Sequence, residues 1–369
     1  MSTEHGARST RLSRREAVRL LGVGAGAGLF AGLHADLGVA AQGGRRVSFP
    51  KGAIIRTILK DVPPEALAGG ATLFHEHLSL SDPPAPWVPP PKNPPTGPPL
   101  GSDVDLMVEE LKATAKDGVS CIVNAGTKDL GQNIEKIRIM SQRSGMHIVL
   151  ANGYWTQTNY PPEVARQTED EIADGFIRDA AAERWGALGE IGSSLTMHPD
   201  ERKVLRACCK VHLRTGLPLF THTPHQGCRS CALEQLDIIE KAGVNPRLVC
   251  IGHIADITDD PKAETHKAIA KRGAFLGFDT VGRRLTQPDS KKLQMLLAVL
   301  DAGYEDHVML ASDFASTDEL KTNHGVGLGA AYVVFVPKMR YAGVKEDTIR
   351  KITIDNPRRF LAFVPKKTS

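Results

Sequence analysis

Six residues of this chain belong to types that bind divalent metal ions, and each closes an apolar run: His75, His77, Glu190, His222, His253 and Asp313. His75-x-His77 ends residues 71–80, which read as a short buried strand. Residues two apart on a strand share a face, so both imidazoles leave in one direction and can offer two nitrogens to one ion. Alone, such a pair is as simply explained by two hydrogen-bonded histidines. Four further ligand-type residues at four further strand ends argue for metal. Four imidazoles and two carboxylates are too many for one tetrahedral zinc ion. They suit two divalent ions about 3.5–4 Å apart that share a bridge. Glu190, midway along the order, is the expected bridge. His75, His77 and Asp313 would hold the more buried ion, and His222 and His253 the more exposed one. Such ions lower the pKa of bound water from 15.7 towards about 7. The expected chemistry is attack by a bridging hydroxide on a carbonyl or phosphoryl centre, with Asp313 accepting its proton.

Positioning these residues requires their strands to converge. Apolar runs at 71–80, 120–125, 146–151, 186–191, 217–222, 247–253, 274–279 and 307–313 alternate with helical patterns at 103–116, 132–144, 169–183, 201–215, 232–242, 263–272 and 290–302. A last helix is expected over 345–362. Strand–helix alternation indicates parallel pairing, and eight repeats predict a closed (β/α)8 TIM barrel of the α/β class. In such barrels the active site lies at the C-terminal ends of the strands, where all six candidates fall. Residues 47–50 and 53–59 are expected to form a short N-terminal strand pair. Ten prolines between residues 82 and 101 exclude helix and central strand. That stretch reads as a loop insertion after the first barrel strand, over the mouth, with a docking peptide as the alternative.

The composition, 41% hydrophobic and 24% charged with net charge +4, is that of a globular protein. No basic stripe with interleaved aromatics points to nucleic acid. Residues 1–41 read as a targeting segment, with Arg14-Arg15 before a glycine-rich apolar run and small residues ahead of Gln42. That run is too short to span a membrane. The arginine pair is similar to a twin-arginine signal, which exports folded proteins to the periplasm or beyond. Residues 42–369 then form a single domain.

Several segments together resemble the phosphotriesterase family of the amidohydrolase superfamily. They are His75-x-His77, Thr221-His-Thr223, Val249-Cys-Ile-Gly-His253, Ser312-Asp313 and Asp355-Asn-Pro-Arg-Arg-Phe360, with Ile54-Ile-Arg-Thr-Ile-Leu59 and Asn152-Gly-Tyr-Trp155. The resemblance covers roughly residues 53–363 and implies a binuclear zinc hydrolase of phosphotriesterase-like or lactonase-like kind. It also implies a homodimer, with Asp129-Leu-Gly131 and Tyr154-Trp155 where a contact could form. Three features depart from the pattern. Glu190 stands where many members carry a carboxylated lysine. Thr280 follows Asp279 where phosphotriesterases have a relay histidine and lactonases tend to have arginine, so Asp256 lacks its relay partner. The proline-rich loop is long.

Tyr154 and Trp155 are candidates for a leaving-group pocket, and Arg283 and Arg284 for contact with an anionic substrate. His225 and His324 fall on loops and are not counted as ligands. Asn356-Pro357 is expected to end a strand and start the last helix. Cys228-x-x-Cys231 is expected to carry no chemistry, with a disulfide as the second choice. Cys121 and Cys250 should be buried in strands, and Cys208-Cys209 structural. The expectation is therefore an exported hydrolase with two divalent ions, zinc foremost, acting on a small lactone or carboxylic ester. A phosphotriester or cyclic amide is the alternative, and a non-catalytic metal-binding barrel the reading from another class.

Overall fold

The computed structural model describes residues 47–90, 97–283 and 286–366. The expected signal segment and the ends of the chain lie outside these, as do Arg284 and the middle of the proline-rich loop. Eight parallel strands lie side by side in chain order: β3 (Ala71–Glu76), β4 (Val119–Asn124), β5 (His147–Asn152), β6 (Ala187–Gly192), β7 (Leu219–His222), β8 (Val249–Ile251), β9 (Phe275–Phe278) and β10 (Val308–Leu310). The two outermost strands meet around their C-terminal ends. There Asp313 N–H donates to the His75 carbonyl at 3.2 Å and His77 N–H to the Phe314 carbonyl at 2.9 Å. The sheet is thus a nearly closed barrel, and the closing contacts involve three of the candidate ligands.

The strands read as near-continuous apolar runs because both faces are covered. One face meets the helices. The other fills the barrel with Phe74, Val123, Ala151, Phe220, Cys250 and Met309, all fully buried. Phe360 closes the floor, its ring 6.4 Å from Phe220 and 5.7 Å from Phe275.

Between the strands run α1 (Val104–Lys116), α2 (Ile134–Ser144), α3 (Glu169–Glu183), α4 (Pro199–Thr215), α5 (Arg229–Lys241), α6 (Glu264–Lys271) and α7 (Asp289–Asp301). Their starts follow local chemistry. Asp103 Oδ1 accepts from Leu106 N–H at 3.0 Å to cap α1. Thr168 and Glu171 form a reciprocal capping box on α3, with bonds of 3.2 and 2.8 Å. On α1 the inward stripe is Met107, Val108 and Leu111.

The short N-terminal strand pair is present, but its two strands lie further along the chain than residues 47–50 and 53–59. β1 (Ile55–Arg56) and β2 (Asp61–Val62) form an antiparallel hairpin that starts within the second segment and runs past its end, turned by Thr57 N–H to the Lys60 carbonyl at 3.0 Å. A turn from Pro50 to Ala53 leads residues 47–50 away, and Ile54 pairs instead with Phe363.

After β10 comes a helix the sequence reading lacked, a π turn (Ala331–Phe335) continuing as α8 (Val336–Tyr341). Its run of Val333, Val334 and Val336 and its Pro337 are poor helix formers, which hid it. The last helix is α9 (Glu346–Arg350), a π turn (Lys351–Asp355) and α10 (Asn356–Leu361) in succession. No strand precedes Asn356. Its Nδ2 donates to the carbonyls of Glu305 at 2.8 Å and Val308 at 2.7 Å, tying this helix to β10. The π turn admits Pro357 without breaking the helix.

The described parts of the proline-rich loop attach to loops that follow the strands. Ser81 N–H donates to the Leu130 carbonyl at 2.9 Å, Trp87 Nε1–H to that of Asn159 at 2.9 Å, and Thr317 Oγ1 to that of Pro98 at 3.2 Å. Among the described residues no helix is long and apolar enough to cross a membrane.

Candidate metal centre

A register irregularity between Leu73 and Glu76 interrupts the alternation after Phe74, so that His75 and His77 share the barrel mouth, ring centroids 5.8 Å apart, with Glu76 between them. Both histidines are buried, as are Glu190, His222, His253 and Asp313. His77 Nε2 lies 3.1 Å from Asp313 Oδ1 and 3.4 Å from Glu190 Oε1. His75 Nε2 lies 3.2 Å from Glu190 Oε2 and 3.6 Å from Asp313 Oδ1. Across the mouth, Glu190 Oε2 is 2.6 Å from His222 Nδ1 and 3.3 Å from His253 Nε2. One carboxylate therefore reaches all four imidazoles. Among the described residues, three overlapping trios have donor atoms within 4.8 Å of one another: His75, His77 and Asp313; His75, Glu190 and His253; and His222, His225 and His253.

The backbone is held in unusual shape to achieve this. Asp313 and His253, neither of them glycine, sit at φ 51° and 54°. Such left-handed residues persist only where neighbours fix them, and they cluster at functional sites. Glu76 does this for Asp313, its Oε1 accepting from Ser312 N–H at 2.7 Å and its Oε2 from Phe314 N–H at 2.8 Å. Asp279 does it for His253, accepting from its main-chain N–H at 2.8 Å. Before Glu190, Gly189 lies at φ 153°, where a Cβ would sit 2.4 Å from the Phe220 ring. Only glycine lets that strand pass.

Asp279 and Glu76 were given no role by the sequence reading. Asp279 Oδ2 is 3.1 Å from His75 Nδ1 and its Oδ1 3.0 Å from His253 Nδ1. A carboxylate on Nδ1 fixes the tautomer and turns the Nε2 lone pair inward, the usual support of a metal-binding histidine. Its signal was its place at the end of the seventh barrel strand.

Electrostatics favour a cation here. Burial alone would lower the His75 imidazole, yet Glu190 and Asp279 outweigh it and hold it up at about 10. Burial likewise opposes charge on His77 and His253, and carboxylates raise both: Asp313 and Glu190 the former, Asp279 above all the latter. Burial would raise Glu190, but His222 and His75 hold it well below the usual carboxylate range. His222 goes the other way, pushed down to about 4 by burial and by His253 against the pull of Glu190. Three buried carboxylates thus demand positive charge in one small volume, which protons or metal ions can supply. His75 Nε2, facing Glu190 and Asp313, is buried without a hydrogen-bond partner. Imidazole nitrogens and carboxylate oxygens are the donors divalent zinc takes, so the residues fit such ions.

Other candidates are placed less simply. The Trp155 ring meets His222 edge-on at 5.2 Å, and its main-chain N–H is held by Asp129 at 2.9 and 3.0 Å. Asp129 is itself buried. Tyr154 packs on Phe176 and Tyr160, with centroids 4.9 and 5.6 Å away. Arg283 is committed to the loop after β10: it donates to the Ser312 and Asp313 carbonyls and pairs with Glu319 at 2.6 Å. Thr280 Oγ1 donates to Asp256 at 2.7 Å. His225 was not counted as a ligand, yet it lies at the centre, while His324 is exposed. Cys228 and Cys231 are joined in a disulfide, Cα atoms 5.2 Å apart, and the other four cysteines are buried.

With this geometry, a family model described as the phosphotriesterase family matches residues 55–361. The chain belongs to the phosphotriesterase family. This is a family of hydrolases within the amidohydrolase superfamily. Among relatives of this phosphotriesterase-family chain, an N-acetyltaurine hydrolase of Danio rerio is 26% identical over 352 residues, 84% of this chain and 98% of that one. The phosphotriesterase homology protein of Escherichia coli, solved with phosphate in its active site, superposes with a TM-score of 0.71 at 28% identity, covering 80% and 99% of the two chains. A lactonase from Listeria monocytogenes superposes with a TM-score of 0.73 at 25% identity, covering 84% and 99%.

Proposed function

We propose that this phosphotriesterase-family chain is a hydrolase that works with two divalent ions, zinc foremost, on a lactone or other carboxylic ester. The observation that carries the reading is Glu190, within 3.4 Å of a ring nitrogen of His75, His77, His222 and His253. In this reading Glu190 would serve both ions, His75, His77 and Asp313 would hold the inner one, and His222 and His253 would hold the outer one. When bound, the ions supply Lewis acidity to the substrate oxygen and bring the pKa of water from 15.7 towards about 7. Asp313, fixed by the bonds from Ser312 and Phe314 to Glu76, takes the proton of the attacking water. Asp279 keeps His75 and His253 aimed inward. Trp155 offers an apolar wall beside His222 for the leaving group.

A neutral carbonyl substrate suits the mouth, because Arg283, the described cation nominated for an anionic group, is engaged with Glu319. The structural likeness to a lactonase agrees with it. A second reading, cleavage of an acylated amine, draws on the match to an N-acetyltaurine hydrolase over 98% of that chain. Elemental analysis of protein purified without chelator, with a panel of lactone, aryl ester, N-acyl amine and phosphotriester, tests both. Two ions per chain and lactone or ester turnover that chelation abolishes would bear out the first reading. Preference for the N-acyl amine or the phosphotriester would replace its substrate. A folded, metal-loaded protein inert to the whole panel would leave a non-catalytic barrel.

We also propose export. The arginine pair of residues 14–15 supports it, and the Cys228–Cys231 disulfide suits an oxidising compartment. Fractionation of cells making the full chain, against a form lacking residues 1–41, tests it. Retention of both forms in the cytoplasm would reject it.

A further inference from the structure

His225 lies on the turn between β7 and α5, three residues beyond His222. Its Nδ1 is 2.8 Å from Asp256 Oδ2. Asp256 is fully buried and anchored from the loop after β9, its Oδ1 accepting from Thr280 Oγ1 at 2.7 Å and from Thr286 Oγ1. Donating to this carboxylate commits the ring proton to Nδ1 and leaves the lone pair on Nε2. That atom faces the centre, 3.6 Å from Asp313 Oδ2, with the His225 ring centroid 4.3 Å from that of His253 and 5.1 Å from that of His222. At 3.6 Å a lone pair and a carboxylate oxygen make no hydrogen bond. A cation among them would satisfy both. The build repeats that of Asp279 with His253, in which a buried carboxylate on Nδ1 aims Nε2 at the mouth.

We propose that His225 is a seventh ligand of the centre, the third imidazole on the outer ion beside His222 and His253. The inference rests on the two-ion reading above. His225 alone of the three imidazoles reaches solvent, with a side chain 33% exposed against 6% and 0% for the others. His225 would thus be the most solvent-accessible of the three imidazoles that would hold the outer ion, three residues ahead of the Cys228–Cys231 disulfide.

The test is titration of the metal-free full chain with cobalt(II), following visible absorption and competing the bound ions with a chelator. Wild type is compared with His225→Ala and, as a second route to the same contact, Asp256→Asn. The expected result is two equivalents in wild type, with the weaker equivalent held about 10–100-fold less tightly in either variant and its absorption altered. The tighter equivalent should be unchanged. Wild-type affinity and an unaltered spectrum for both equivalents in the variants would overturn the assignment of His225. Fewer than two equivalents in wild type would overturn the two-ion reading itself.

Discussion

Asp279 and His253 meet twice: Oδ1 of the carboxylate accepts from the main-chain N–H of His253 at 2.8 Å and lies 3.0 Å from its ring Nδ1. The same side chain holds His75 through Oδ2. Asparagine has one acceptor oxygen, so Asp279→Asn must abandon one of the two imidazoles. Metal affinity should fall about 10–100-fold. Chelator competition measures this, and unchanged affinity would remove Asp279 from the working parts of the centre.

Glu190→Gln keeps the shape of the side chain while replacing one oxygen, of the pair that reaches four imidazoles, with an N–H donor. The inner trio of His75, His77 and Asp313 remains. Bound metal should fall from two ions to one per chain, with loss of hydrolysis. Two ions retained in the variant would show that Glu190 is no bridge.

Gly189→Ala should damage the centre without touching a ligand. Its Cβ would meet the Phe220 ring at 2.4 Å, at a φ of 153° that side chains rarely adopt. Overpacking of this kind costs about 1–3 kcal/mol. Denaturant unfolding should register that loss, and metal content should drop because Glu190 shifts with its neighbour. A variant as stable as wild type would mean that the strand gives way easily.

Asp260 offers a pH test away from the metal ligands. His266, with Nδ1 3.9 Å from Oδ2, and the N–H groups of Thr265 and Glu264, at 2.7 and 3.0 Å, hold its carboxyl far below the ordinary value of 3.8. The two N–H donors are the true hydrogen bonds, and they cap α6. A carboxyl lowered on folding stabilises the protein fully above its unfolded pKa and loses that effect as pH falls through the folded one. Asp260→Ala should thus cost about 0.5–2 kcal/mol at neutral pH. The gap from wild type should stay level down to about pH 4 and close in stronger acid. A gap that does not change across that range would contradict the ionised cap.

The barrel was legible because its strands are continuous apolar runs that stop at polar residues, and because a parallel barrel has one functional end. That rule placed six residues which the structure gathers at one mouth. What escaped depends on direction through space. Glu76 reads as a spacer between two histidines, although it grips Ser312, 236 positions away. His225 reads as a loop residue until Asp256 shows which way it turns. Arg283 reads as a free cation until Glu319 claims it. The helix after β10 was masked by β-branched residues and Pro337, where packing overrides local preference. Spacing alone could not decide whether Cys228 and Cys231 pair, because that depends on how the turn folds.

Ile54 and Phe363 exchange backbone hydrogen bonds, 2.9 Å from Ile54 N–H to the Phe363 carbonyl and 3.0 Å in return. The described fold therefore begins and ends at one clasp. A circular permutant with its termini fused there and new ends cut elsewhere, in a loop remote from the mouth, would keep each of the candidate ligands beside the neighbours it has now. For the arrangement at the mouth, strand numbering is a convention: the candidate ligands belong to a ring, and the ribosome's starting point is one of several places at which that ring could have been opened.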